Sequence, residues 1–581
     1  MLGELYQYAL DHELIVRPGF KEKNVKYYLS FGKSGQFLGI QPATLKRAMC
    51  PDIGSLANGT TKSNVVVEKA EVVLNIPDGD GNYKREQKHE FYLASMKEAA
   101  QYDSLFAIAI NALESNLEQI REEYLRNKRK RGDMLGLIVD GKALEESDGY
   151  LEWWEEFRRR FGKASSDETG KSRCFITGQL TVPMITIPPV SGLSRVGGHT
   201  KGDTLICFDK DAYRSYGFEQ AANASVSEYA MTGVNAALGK LLEKSKPLAG
   251  SKNIHWFSQK IEPDIIEALD FDFGFEKETD GGGDAKDESI DEDEQKIKTL
   301  YDFLFTAEYP QNPKNRYYMM SLSGVNGRIM IRNYDEGSYD VLYQNIKNWY
   351  SDILISNVGY PNLWRIYTRL LKYSESEKKI SDRIAKELSG LAPKIEYSIF
   401  HNTPLPDETA SRALAYIRSK MYASEEKHRV IDRVACQILK AWLNRKYRKE
   451  KKEGLQVMEK LNKNSPSKAY QTGRLIAVYV ALQNKALDGV NSGVAEKYYS
   501  SACTTPALVV GKLAQLSQYH LSKLNESGKV FYNKMLQEIA VKIGAEIPNT
   551  YSLEEQSQFA LGYYFQNAEI YNSNNKAKED K

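Results

Sequence analysis

The spacing of apolar and polar positions changes along this chain, and the change divides it. Val25–Ile40 (VKYYLSFGKSGQFLGI) reads as a β-hairpin closed at Gly32–Gly35, and Asn64–Ile76 continues in strand-like fashion. Leu105, Ala109, Leu113, Leu117, Ile120 and Tyr124 then recur at three- and four-residue steps, which predicts a helix with one apolar face. Met134–Val139 returns to a strand and runs into Asp140-Gly141, a hairpin turn pair. Two short apolar runs, Cys174–Ile176 and Leu205–Phe208, bracket a loop over Pro188–Gly202. The first run reads as a strand, and a helix is predicted over Ser227–Leu242. Arg316–Tyr334 predicts another hairpin, turning at Asn326-Gly327. Its second strand places Ile329 and Ile331 on one side and Arg328, Met330 and Arg332 on the other.

From about Tyr339 the period is helical. Thr505-Pro506 supplies an N-cap and a first-turn proline. Leu513, Leu516, Leu521 and Leu524 make one stripe, and Tyr532, Leu536, Ile539 and Ile543 the next, ending near Gly544. Ser552 and Glu555 have the spacing of a capping box. With Tyr470–Leu482 these segments predict a compact bundle. The expected fold class is α+β: a mixed α/β N-terminal domain with β-hairpins followed by an all-helical C-terminal bundle. The expected divisions are 1–275, an acidic linker or insert at 276–296, a hairpin-and-helix region at 297–400 that can rejoin the first domain, and a helical domain at 401–581.

Charge alters this picture in one place. The 581-residue chain carries +2, yet residues 276–294 hold ten acids and two lysines, a local −8 that leaves +10 elsewhere. That stretch cannot bury enough apolar surface to order itself. Basic clusters at Arg121–Arg131 and Arg445–Lys452 suit phosphate neutralisation, and equally suit solvated helix faces laced with i,i+4 pairs. Five scattered cysteines (50, 174, 207, 436, 503) form no CxxC pair, which argues against a disulfide framework or a zinc site. With neither a leader-like N-terminus nor an apolar run of about 20 residues, the expectation is a reduced, cytoplasmic protein with no membrane partner.

Catalytic patterns fail on inspection. Gly32-Lys33-Ser34 lacks the earlier P-loop glycine, since Tyr27 stands there. Asp78-Gly79-Asp80-Gly81-Asn82 begins like a calcium loop, but Tyr83 replaces its glycine and His89 its closing glutamate. The seven histidines stand apart. The expectation is a protein that is no enzyme and holds neither metal nor cofactor.

The loop over Pro188–Gly202, punctuated by Gly192, Gly197, Gly198 and Gly202, has only two cations, Arg195 and Lys201. Glycine lets such a backbone approach a phosphate or base edge closely. Around it stand Cys174-Phe-Ile-Thr-Gly178, Ile187-Pro-Pro-Val190, Ser215-Tyr-Gly-Phe-Glu-Gln220, Asn223-Ala224 and Val226-Ser-Glu228. This order resembles the large subunit of the type I-C CRISPR surveillance complex (Cascade, Dvulg subtype). The likeness recurs at Thr61–Asn64, Asn253–Phe257, Asn326–Arg332, Ala469–Arg474, Tyr499–Pro506 and Leu561–Tyr564, and departs from the family at the acidic insert.

The resemblance implies a non-catalytic recognition subunit. Such a chain reads the protospacer-adjacent motif (PAM) on double-stranded DNA, starts strand separation, stabilises the displaced single strand and recruits a helicase-nuclease. Its other partners are the crRNA-bearing subunits: the one holding the RNA 5′ end, the backbone subunits and the small subunit. The expected DNA- and PAM-binding residues are Lys62, Ser63, Asn64, Arg195, Lys201 and Asn223, with the asparagines on bases and Lys62, Arg195 and Lys201 on phosphates. Arg328 and Arg332 suit a phosphate backbone or a partner protein. Met458, preceded by Lys452-Glu453-Gly454, is an expected internal start that would yield residues 458–581 as a separate small subunit. The competing expectation is a structural scaffold that touches no base.

Overall fold

Positive backbone angles close the hairpins where the sequence predicts turns. Asp140 and Gly141 have φ of 52° and 81°, and Asn326 and Gly327 have 52° and 78°, the pairing that a two-residue turn between twisted strands requires. The computed structural model describes residues 1–581 apart from 45–46, 55–56, 58, 162–170, 215, 219, 260–313, 357–358, 375–379, 424–430, 488–492 and 580–581. The acidic stretch 276–296 therefore lies outside the described residues. By contacts the chain divides into two compact units, Met1–Gly192 with Thr200–Lys240, and Leu193–His199 with Leu241–Lys581. Among the described residues no helix is long and apolar enough to cross a membrane.

The first unit opens with α1 (Leu2–Asp11). β1 (Phe20–Lys23) pairs with β4 (Ala48–Pro51), and a second sheet runs in the order β3 (Phe37–Pro42), β2 (Tyr27–Phe31), β6 (Met134–Val139), β5 (Glu68–Lys69). β7 (Lys142–Ala143) also pairs with β6, and β2 and β6 are parallel. Leu29, Phe31, Leu135, Leu137 and Val139 are fully buried on these strands. Three further helices follow β5: α2 (Ala70–Val73), α3 (Glu86–Ala99) and α4 (Ser104–Ser115). Asn116 leaves the helical path at φ −115° and separates α4 from α5 (Leu117–Arg126), yet Leu113, Ile120 and Tyr124 stay fully buried on the predicted face. α6 (Leu151–Phe161), β8 (Ser172–Arg173) and β9 (Leu180–Thr181) complete the described elements before the glycine-rich loop.

Two strand expectations are corrected here. Only Glu68–Lys69 of Asn64–Ile76 is extended: Val66 sits at φ 64°, and the Glu68 carboxylate accepts the Asn64 and Lys69 N–H groups, which turns the chain instead. The Cys174–Ile176 run is the turn between β8 and β9. Cys174 and Gly178 close it with backbone hydrogen bonds of 2.9 Å, Gly178 has φ 71°, and Phe175 is left 71% exposed.

α7 (Glu228–Lys244) matches its predicted span within two residues and leads into the second unit. There one antiparallel sheet has the order β10 (Pro247–Leu248), β11 (Ser251–Phe257), β12 (Arg316–Val325), β13 (Arg328–Ser338). Strands on either side of residues 260–313 thus share one sheet. The register shifts between Ser321 and Leu322, with Leu322 opposite Ile331 and Ser321 opposite Asn333, so Arg332 is the extra residue of a β-bulge. Ile329 is buried as predicted, whereas Ile331, next to the bulge on this edge strand, is 38% exposed.

The remaining described helices are α8 (Tyr339–Ile353), α9 (Leu363–Arg369), α10 (Ile380–Glu387), α11 (Ala392–Phe400), α12 (Asp407–Ala423), α13 (Arg433–Lys449), α14 (Lys468–Ala486), α15 (Val494–Thr504), α16 (Ala507–Ser522), α17 (Glu526–Ile543) and α18 (Leu553–Glu579). One apolar core runs through them, from Trp349 and Tyr350 through Trp442 to Tyr470 and Phe559. The capping box forms: the Ser552 N–H donates to the Glu555 carboxylate at 2.8 Å, and the Glu555 N–H donates to Ser552 Oγ at 3.3 Å. Thr505 does not cap α16. Its hydroxyl donates back to the Ser501 carbonyl at 3.1 Å, on the helix before.

A buried polar chain ties this sheet to its helices. Ser321 Oγ donates to Asn253 Oδ1 (2.6 Å), Asn253 Nδ2 donates to Glu396 Oε2 (3.2 Å), and Tyr367 Oη donates to Glu396 Oε1 (2.9 Å). Burial raises the Glu396 carboxyl from 4.5 to about 7, despite those two donors. A protonated carboxyl can donate to Tyr367 Oη, whose own proton then turns to the Ala392 carbonyl 3.5 Å away. The folded pKa is raised, so the stability this group contributes is complete below pH 4.5 and lost as pH rises through 7. That swing is roughly 3 kcal/mol. We expect Glu396→Gln to flatten the loss of stability between pH 5 and 8, as measured by urea unfolding. An unchanged slope would show that the carboxyl ionises normally.

Candidate nucleic-acid interface

The Lys62–Asn64 loop is held from both ends. Ser63 is fully buried and donates from Oγ to the Lys88 carbonyl (3.1 Å), so it anchors the loop and faces no ligand, contrary to expectation. Asn64 is half-buried, as is Lys62. Its backbone N–H donates to Glu68 Oε2 (2.8 Å), and its Oδ1 accepts the Ile53 N–H (3.0 Å). This fixes the amide and leaves Nδ2 as its available donor.

Asn64 lines an open-mouthed cavity of about 320 Å³. β1, the loop after β4, β5, α2, the start of α3 and the first residue of β6 supply the other walls, with Lys21, Lys23, Lys69, Arg85 and Lys88 as cations. Lys23 is only 8% exposed and donates to the Pro51 and Val67 carbonyls at 3.0 and 3.3 Å. Burial pulls its ammonium below the ordinary lysine value, and Asp52, 3.6 Å away, pulls the other way. Burial likewise lowers Lys88, and the positive charges of Arg85 and Lys69 add to that shift.

The other expected residues stand elsewhere. Val190 and Asp203 exchange two backbone hydrogen bonds of 2.9 Å, which closes the base of the glycine-rich loop in the first unit. Lys201 is exposed beside that bridge. Gly202 is required there: at φ 105°, a Cβ would stand 3.0 Å from the Val190 carbonyl group. Asn223 is half-buried in the 3₁₀ turn Gln220–Ala224, where its Nδ2 donates to the Gln220 carbonyl (3.0 Å). Its donor is therefore engaged locally.

Arg195 belongs to the second unit and is exposed on the 3₁₀ turn Ser194–Val196. That turn ends at Gly197, where a Cβ would lie 2.6 Å from the Gly324 carbonyl oxygen on β12. The fold thus brings Arg195 to the hairpin that carries Arg328 and Arg332. Arg332 is exposed, and its Nε donates to Ser323 Oγ (2.7 Å); Arg328 is half-buried. Lys252 on β11 is buried, which lowers its ammonium pKa, and the Arg195 charge lowers it further. Met458 is 59% exposed, in the connection between α13 and α14.

Both basic clusters are partly structural. Arg121 Nε donates to the Leu74 carbonyl (2.8 Å), and Arg129 lies over the Tyr27 and Tyr124 rings at 4.8 and 5.8 Å. Arg445, 2% exposed, is bonded to Asp352. Sequence reasoning missed Lys21, Lys69, Arg85 and Lys88. They come from separate segments, and only Arg85 and Lys88, one helical turn apart, offered any local signal. Among the described residues no group of three His, Cys, Asp or Glu side chains is placed to hold a metal.

A mixed α/β unit and a largely helical unit define a two-unit α+β chain. The family model described as CRISPR-associated protein (Cas_Csd1) matches residues 2–571, and the chain belongs to that family. No curated protein matches it.

Proposed function

We propose that this chain is the non-catalytic large subunit of a type I-C RNA-guided complex, and that it reads the PAM on duplex DNA. The observation that carries the reading is the family match over residues 2–571, nearly the whole chain. The site adds a chemical restriction. The Ile53 N–H holds the Asn64 amide by its Oδ1, so Nδ2 is the group it presents. A donor suits the minor-groove acceptors N3 of adenine and O2 of thymine, and it is opposed by the 2-amino donor of guanine. Asn64 therefore favours A·T over G·C at one position of the motif. Base pairing with the crRNA reads the remainder of the target.

In this reading Lys62 and Lys201 of one unit, and Arg195, Arg328 and Arg332 of the other, neutralise phosphates. The chain then promotes R-loop formation, stabilises the displaced strand and recruits the helicase-nuclease, beside the crRNA-bearing subunits.

The test measures binding of the crRNA-loaded complex to duplexes that differ only in the flanking motif. Asn64→Ala is expected to cut the preference for the motif by about tenfold, within the ~1–3 kcal/mol of one base contact, while leaving motif-free targets unchanged. Asn64→Asp keeps the acceptor for Ile53 and removes the donor, so it must lower the same ratio. If the wild-type chain adds affinity equally to every target, it is a scaffold and the motif is read by another subunit.

A further inference from the structure

The cavity beside Asn64 has more chemistry than one base-edge contact uses. Its acids are engaged: Glu68 by two backbone N–H groups, Glu71 by Arg85 at 3.2 Å, Asp52 by the Gly54 N–H at 2.6 Å, and Glu22 by Arg47 at 3.2 Å. Lys21 and Lys69 are exposed at the cavity and take part in none of these pairs. Positive charge therefore prevails at its edge. Val72, Ala57 and Met134 add apolar atoms to the lining. A volume of about 320 Å³ falls at the small end of ligand pockets, roughly 300–1,000 Å³.

A cavity that combines exposed cations, apolar atoms and one fixed amide donor has the polarity of a single nucleotide. We infer that this cavity binds one nucleoside monophosphate unit, with its phosphate against Lys21 and Lys69 and an acceptor of its base on Asn64 Nδ2; Lys88, whose Nζ donates to the Ala57 carbonyl (2.6 Å), and Arg85, paired with Glu71, back them with charge. Met134 and Ala57, both half-buried, offer the base apolar contact, which acts without regard to sequence. The inference rests on the nucleic-acid reading above only for the source of the nucleotide, a flipped or unpaired DNA residue or a free nucleotide. Extruding a base costs least where strands are already separated, so a displaced strand is the favoured source.

The isolated full-length chain, without crRNA or other subunits, is titrated calorimetrically with thymidine monophosphate, pentathymidylate, inorganic phosphate and thymidine. Thymidine monophosphate, pentathymidylate or both should bind, with phosphate and thymidine at least tenfold weaker. Lys69→Glu and Lys21→Glu alter exposed side chains, and each should weaken that binding tenfold or more with an unchanged thermal melt. Binding of pentathymidylate alone identifies a strand as the source, and binding of the mononucleotide alone a free nucleotide; each supports the site. Phosphate binding as well as the mononucleotide makes it a mere anion patch and overturns the inference. So does nucleotide binding that both charge reversals leave intact, or no binding by any ligand. None of these results depends on the flanking motif, so failure here leaves the PAM reading to its own test.

Discussion

Replacing Gly562 with alanine should lower the melting temperature of the chain by roughly 3–4 °C, the equivalent of about 3 kcal/mol in a unit of this size. In an isolated helix the same change would stabilise by about 1 kcal/mol, because alanine is the better helix former. The sign is reversed by a close crossing. Gly473 on α14 and Gly562 on α18 face each other's helix so tightly that a Cβ at Gly473 would overlap the Phe559 carbonyl oxygen. One at Gly562 would overlap the Tyr470 carbonyl oxygen. These partners are main chain, so no side-chain rotation relieves the clash and the helices must separate. Separation disturbs the core built from Tyr470, Tyr499, Phe559 and Tyr563, where Tyr499 stacks edge-on against Phe559 and Tyr563 with centroids 5.6 and 5.0 Å apart. Gly473→Ala should cost as much. The double variant should cost less than the sum, since either methyl alone opens the same crossing. A circular-dichroism melt decides it: Gly562→Ala at or above the wild-type temperature would mean that the helices do not approach as described.

This pair shows what the sequence could and could not reveal. Ala469–Arg474 and Leu561–Tyr564 are visible as motifs of the resemblance, but nothing local says that their glycines meet. Signals that act within a few residues were legible. The Asp140-Gly141 and Asn326-Gly327 turns, the Ser552–Glu555 box and the apolar face through Ile120 and Tyr124 all formed. Runs without a period were misread. Cys174–Ile176 is apolar enough for a strand, but Gly178 turns the chain back beside it, so the run becomes a loop tip. At the site, Asn64 was legible through the resemblance alone. The bond that immobilises its oxygen comes from Ile53, eleven residues away, and the cations around it look like ordinary surface lysines until the fold gathers them. Asn223 has the same side chain in a different setting, since its Nδ2 donates to the carbonyl of Gln220 in the turn that holds it.

Asp352→Ala should be the most damaging single charge removal, costing about 3–5 kcal/mol, since it leaves a buried guanidinium without its counter-ion. Arg445 was read from sequence as part of an exposed basic cluster, because its partner lies 93 residues away. In the fold both are about 2% exposed or less: Arg445 Nε donates to Asp352 Oδ2 at 2.8 Å, and Arg448 Nη2 donates to Oδ1 at 2.5 Å. Arg445 also bonds the Ser398 and Thr403 carbonyls and lies 5.2 Å above the Trp349 ring, so it cannot swing out to water without breaking these contacts. Lys440 makes the loss depend on pH. Burial lowers its pKa from 10.5 to about 8, and Asp352 is the first of the charges that hold it up. A lowered lysine pKa destabilises the fold fully below pH 8, and the penalty fades as pH rises toward 10.5, where the unfolded chain also loses the proton. Removing Asp352 lowers that pKa further, so at pH 7 the variant bears an added cost that is gone by pH 9.5. Unfolding measured at the two pH values should therefore show a smaller deficit at the higher one. A deficit equal at both would mean that Asp352 serves Arg445 and Arg448 alone. A deficit below about 1 kcal/mol would place the whole cluster in water, the range of an exposed ion pair.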